Sequence, residues 1–126
     1  MSAARFFTNS IAGIAFAAAA TLASTPTRAA SFDGNWSVLI VTQKGPCDSA
    51  YRYGLSIRNG AVFYEGSAPV NVAGRVSPSG SVSVRVWAGS QSASGSGRLA
   101  RGSGRGTWRG VSSSGTCSGY WTAEQR

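Results

Sequence analysis

Cys47 and Cys117 are the only cysteines in a chain of 126 residues, and they stand 70 positions apart. Around them the sequence alternates apolar and polar residues in short runs broken by glycine, serine and asparagine. That is the period of strands with one buried face. Strands are expected at about Trp36–Thr42, Tyr51–Arg58, Ala61–Gly66, Val70–Val76, Ser81–Ala88, Ser92–Leu99, Gly104–Gly110 and Thr116–Ala123. Asn59-Gly60 is the sharpest turn signal, a pair that tolerates positive φ in a two-residue hairpin. Ser77–Gly80 and Ser112–Gly115 are further turns. The stretch Ser90–Gly97, SQSASGSG, reads either as a flexible linker or as a strand. The strand is preferred, because Ala93, Gly95, Gly97 and Leu99 would then share one face.

Short turns between eight strands predict an up-and-down meander. In an even-numbered meander the residue after strand one and the residue opening strand eight lie at the same end. Laid flat, strands about 4.8 Å apart would hold Cys47 and Cys117 roughly 34 Å apart. A disulfide needs Cα atoms within about 7 Å. The sheet must therefore roll until strand eight meets strand one, and the expected fold is a small closed all-β barrel with one disulfide. An immunoglobulin-like sandwich would also join distant cysteines. It expects a tryptophan soon after the first and a tyrosine two residues before the second. The next tryptophan here is Trp87, and Gly115 holds the second position.

The first thirty residues read as a secretory leader: a basic start at Met1–Arg5, an apolar run from Phe6 to Leu22, and small residues through Thr27-Arg28-Ala29. A cleaved signal peptide over residues 1–29 and one domain over residues 30–126 are expected. No transmembrane segment is expected after cleavage. The apolar core and early cut look bacterial, which points to the periplasm or the medium. An oxidising destination and an even cysteine count make the Cys47–Cys117 bridge the default. The region after the leader carries ten basic residues, nine of them arginine, against Asp33, Asp48, Glu65 and Glu124, a net charge of +6.

Three Gly-x-Trp units recur: Gly34-Asn35-Trp36, Gly106-Thr107-Trp108 and Gly119-Tyr120-Trp121. In the first of these the chain resembles the calycins, the lipocalin and avidin group of barrels. Their first strand opens with Gly-x-Trp, and an arginine near the chain's end packs over that tryptophan. The resemblance implies a packing pair of Trp36 and Arg126; it implies no ligand-contact residues. In overall style the chain is also similar to short secreted proteins of proteobacteria, which implies a compartment and no activity.

The chain has no histidine, so Ser-His and Cys-His nucleophile pairs and histidine metal sites are excluded. Bridged cysteines offer no thiolate. Asp33 and Glu124 could approach one another when strands one and eight pair, but turn capping is the ordinary role of such residues. Gly102–Gly110 is glycine-rich without the helix that a phosphate loop needs. A non-enzyme without cofactor or metal is expected.

Strand alternation puts Arg52, Arg58, Arg75, Arg85, Arg98, Arg105 and Arg109, with Trp87, on the side opposite the apolar set. A solvated outer wall explains this. The functional reading is a partner with anionic groups, such as an envelope polysaccharide or lipopolysaccharide surface, because arginine pairs bidentately with carboxylate and phosphate. Nucleic acid ranks low for an exported product. On the inner face Trp36, Val38, Ile40, Tyr53, Leu55, Ile57, Phe63, Val72, Val84, Val86, Trp108 and Trp121 supply bulk. Gly74, Gly95, Gly97 and Gly106 would leave a cavity or admit the large rings, and a filled core is expected. The leading expectation is an exported binding protein for a small apolar ligand or an anionic surface. The rivals are a protease inhibitor acting through Ser31–Asn35, and a structural envelope protein.

Overall fold

The structure is a computed structural model, and it describes residues 31–126. The expected leader and its cleavage site lie outside the described residues. Eight strands follow in chain order: β1 (Gly34–Lys44), β2 (Ala50–Arg58), β3 (Ala61–Tyr64), β4 (Asn71–Val76), β5 (Ser81–Ala88), β6 (Gln91–Ala100), β7 (Ser103–Ser112) and β8 (Gly115–Gln125). Each pairs antiparallel with the next, and β1 pairs with β8, so the meander closes into a barrel. Cys47 and Cys117 form the disulfide, with Cα atoms 6.1 Å apart. Closure and the bridge both agree with the distance argument.

Ser90–Gly97 resolves in favour of the strand, with β6 running from Gln91. Ala93, Gly95, Gly97 and Leu99 point inward, where they oppose Gly110, Trp108, Gly106 and Gly104 of β7. One large ring needs this glycine wall. The Trp121 ring of β8 lies across β7 and β6, so that a Cβ on either Gly97 or Gly106 would stand 2.6 Å from its Cζ2. Its indole N–H donates to Ser96 O at 3.2 Å. In the same way the Trp108 indole N–H reaches over β8 to donate to Val41 O at 2.9 Å. Both buried rings thereby satisfy their one polar atom.

One inner-face assignment is wrong. Phe63 is an outward residue, 40% exposed, and Val62 is the buried one at 5%. The hairpin decides this. Asn59 and Gly60 both have positive φ (53° and 78°), as a two-residue type I′ turn requires. Such a turn pairs Arg58 with Ala61 and Ile57 with Val62, and paired residues share a face. Phe63 instead lies beneath Arg58, whose guanidinium carbon sits 4.3 Å from the ring centroid. Strand β3 also stops at Tyr64, two residues short of expectation, and β4 starts at Asn71.

Two outcomes follow from this packing. Gly106→Ala should lose about 1–3 kcal/mol in urea unfolding, because the added methyl meets both a ring and a backbone carbonyl; Gly95→Ala, whose nearest neighbours would be at 3.5 Å, should be close to neutral. Replacing both cysteines by alanine frees a 70-residue loop, and should cost about 4 kcal/mol by the same measurement.

Candidate functional site: the barrel interior and its open end

The two ends of the barrel differ. At one end Trp36, Ile57, Val62, Val76, Leu99 and Ala123 are all buried, and the segment before β1 closes them in. Phe32 packs against this core, and its carbonyl accepts the Trp36 indole N–H at 2.8 Å. Asp33 latches the same segment. Its Oδ2 accepts the Asn59 amide at 3.0 Å, and its carbonyl accepts Gln125 Nε2 at 3.0 Å. Asp33 thus caps a turn, and Phe32 with Asp33 plugs this end.

Toward the other end many inward-pointing residues are only half-buried, among them Ile40, Tyr51, Tyr53, Val72, Val84 and Val86. They surround an apolar cavity of about 130 Å³ that reaches down to Trp36. The expected filled core is therefore incomplete. The glycines divide between the two alternatives posed for them. Gly97 and Gly106 admit the Trp121 ring, Gly95 borders the cavity, and Gly74 has Val84 against it. A second depression of about 120 Å³, at the rim, shares Tyr51, Tyr53, Val86, Ala93 and Trp108 with the cavity and adds Trp87, Gln91 and Val111. The shared lining puts the entrance at the end that carries the disulfide.

Tyr51 and Tyr53 line that entrance, and Tyr64 supports them from behind. Tyr51 and Tyr53 project inward from β2 at ring-centroid distance 5.7 Å, and Tyr53 meets Tyr64 of β3 at 5.8 Å, both edge to face. The Tyr64 hydroxyl accepts the Ala68 amide at 3.1 Å and pins the β3–β4 loop beside the opening. Burial raises the Tyr51 hydroxyl above its ordinary pKa, and the Asp48 carboxylate adds to this. For Tyr53 burial again comes first, followed by the neighbouring Tyr51 and Tyr64. The sequence reading put Tyr53 on the inner face but missed Tyr51 and Tyr53 as an entrance, and it missed Tyr64 altogether. The available signal was the same hairpin register that fixes Val62, because it places Tyr64 opposite Leu55.

The arginines occupy the outside. Arg52, Arg58, Arg75, Arg85, Arg98, Arg105 and Arg109 are all exposed, and Trp87 is half-buried with the Arg85 guanidinium 5.3 Å from its ring centroid. Five of the seven stand on the contiguous strands β4–β7. Arg52 and Arg58 stand on β2, where Arg52 donates to Ser37 Oγ at 3.0 Å. The interior is apolar and the exterior basic, the reverse of a lipid-spanning barrel. Trp36 and Arg126 are not brought together inside. Arg126 is exposed, with its backbone amide bonded to Asn35 O and its guanidinium 3.5 Å from where a Cβ on Gly54 would be, on the outer wall beside Glu65. Phe32, not Arg126, packs at Trp36. Glu65 itself accepts the Ser56 hydroxyl at 2.7 Å.

Fold and site together define a closed eight-stranded meander barrel, plugged at one end and hollow at the other. No family model, no curated protein and no solved structure matches the chain. Among the described residues no group of three or more carboxylate or cysteine side chains could hold a metal, and no helix is long and apolar enough to cross a membrane.

Tyr51 and Tyr53 carry a pH dependence. The folded state holds their protons more tightly than the unfolded chain, so their contribution is intact below about pH 10 and is lost as pH rises through the folded values. The urea midpoint should fall above that pH, and the Tyr51→Phe/Tyr53→Phe double variant should show a shallower fall.

Proposed function

We propose that this protein is a non-catalytic binding protein of the bacterial periplasm or extracellular medium, and that it takes a small apolar ligand into the open end of its barrel. The observation that carries this reading is the row of valines on β4 and β5 that point inward yet stay half-exposed around the cavity. Apolar side chains left open to a void forfeit dispersion contacts on that side. A guest of matching size restores them.

The size and chemistry of the site narrow the ligand. An apolar cavity of ~150 Å³ stays dry and accepts a benzene-sized molecule, and this one is close to that volume at about 130 Å³. The continuous rim depression gives room for an attached group, and Tyr51 and Tyr53 line it. The ligand class is thus a compact aromatic or branched aliphatic body with at most one polar head, held head outward. The disulfide and the absence of a membrane-spanning helix among the described residues are compatible with export, and the expected leader supports it.

The test is thermal unfolding in the presence of benzene or indole. At a hundredfold excess over its dissociation constant a guest stabilises the fold by about 2.7 kcal/mol, a rise in Tm of roughly 10 °C or more for a domain of this size. Val84→Phe, which adds a ring between Gly74 and Gly95, should fill the void and abolish the shift. A Tm that does not move with either compound rejects the reading.

A further inference from the structure

Between Glu65 and Glu124 the chain carries six arginines and neither aspartate nor glutamate. This stretch supplies β4 to β7, four strands that carry positive charge and no carboxylate; the nearest carboxylate along β8 is Glu124, opposite Ser103. The register concentrates that charge. Arg98 on β6 stands directly opposite Arg105 on β7, and like charges directly opposite in an antiparallel pair are destabilising. Arg98 turns one Nη1 donor to Ser79 O at 3.3 Å, a small part of the five that a guanidinium offers.

The surroundings of this pair are equally specific. Thr122 of β8 lies opposite Arg105, and Tyr120 lies opposite Thr107. All three are outward, and Tyr120 leaves 39% of its surface exposed. Together these five side chains line a shallow outer groove floored by backbone at Gly97 and Gly106. The Trp121 ring underpins that floor from inside. The groove therefore combines two guanidiniums, two small hydroxyls and one aromatic face on a rigid sheet.

We propose that this groove is a binding site for the anionic sugar units of an acidic polysaccharide. Arg98 and Arg105 pair with a carboxylate or sulfate, which relieves their mutual repulsion through charge-assisted hydrogen bonds. Thr107 and Thr122 bond to ring hydroxyls, and the sugar's C–H face rests on Tyr120. A polymer fits better than a single sugar, because Arg109 lies four residues along the same strand, about 13 Å from Arg105. It meets Ser94 of β6, which itself pairs with Arg85. The groove presents no aliphatic side chain to enter a bilayer. It presents one aromatic ring, where a run of stacked bases requires several. The site is on the opposite side of the sheet from the apolar cavity, and neither reading depends on the other.

Binding of the folded protein to immobilised heparin, across a salt series, tests the proposal. Polygalacturonate and dextran sulfate separate carboxylate from sulfate recognition. Arg98→Ser and Arg105→Ser should each weaken binding about tenfold, the loss of one contact to a charged group, and flatten the salt dependence by about one released counterion. Tyr120→Ser should weaken binding with the salt slope unchanged. Arg52→Ser, on the far wall, and Val84→Phe, in the cavity, should bind as the parent does. Unfolding curves confirm that each variant is folded. Equal loss from Arg52→Ser, or no loss from Tyr120→Ser, would overturn the site. Tighter binding to oligo-dT or to phosphatidylglycerol vesicles than to all three polysaccharides would overturn the ligand class.

Discussion

Pairing of β1 with β8 is the constraint on which the other features rest. An open eight-stranded meander would expose two strand edges and leave one apolar face without cover. Eight register pairs between Trp36 and Lys44 on β1 and Gln125 and Ser118 on β8 remove those edges. Once the sheet closes, every residue is assigned to an inside or an outside, and the alternation in the sequence becomes a chemical division. The disulfide adds to closure at one end only. It ties the β1–β2 loop to β8, where the Cys47 amide also contacts the Cys117 sulfur at 3.2 Å. The opposite end is held by Phe32 and by the hydrogen bonds of Asp33.

The tryptophans then decide where the interior is full. Trp121 lies against β7 and β6 because glycines there remove the side chains that would collide with its ring, and Trp108 reaches across β8 to β1. Their indole donors reach carbonyls two strands away, which fixes the rings in that orientation. Bulk is thereby drawn to one wall. The facing valines of β4 and β5 are too short to bridge what remains, and an apolar void results. Filling that void with larger residues would raise stability. The barrel keeps the void and opens it at the end framed by tyrosines.

The exterior shows a parallel economy. Serines and threonines alternate with arginines across β5 to β7, and β8 adds outward threonines beside them. Where an arginine meets an aromatic ring, as Arg58 does Phe63 and Arg85 does Trp87, the contact is a cation–π one at 4.3 and 5.3 Å. The carboxylates do other work. Asp33 caps the Asn59 turn, and Glu65 takes the Ser56 hydroxyl. These separate roles leave the interior neutral and the β4–β7 wall uniformly basic.

Strand number, closure and the direction of the arginines were legible in the sequence, because they follow from period-two alternation and from the fixed length of a disulfide. Even the serine- and glycine-rich β6 was legible through the facing set of Ala93, Gly95, Gly97 and Leu99. Phe63 was misread although Asn59-Gly60 contained the answer: a two-residue turn sets the pairing, and pairing sets the face. The plug at Phe32, the place of Arg126 on the outer wall, the tyrosine entrance and the Arg98–Arg105–Tyr120 groove were not legible. Each joins residues from strands whose juxtaposition depends on register across the closed sheet. Alternation determines which side of a strand a residue faces. What it faces there, and whether the space is filled, only the three-dimensional packing of rings against glycines could decide.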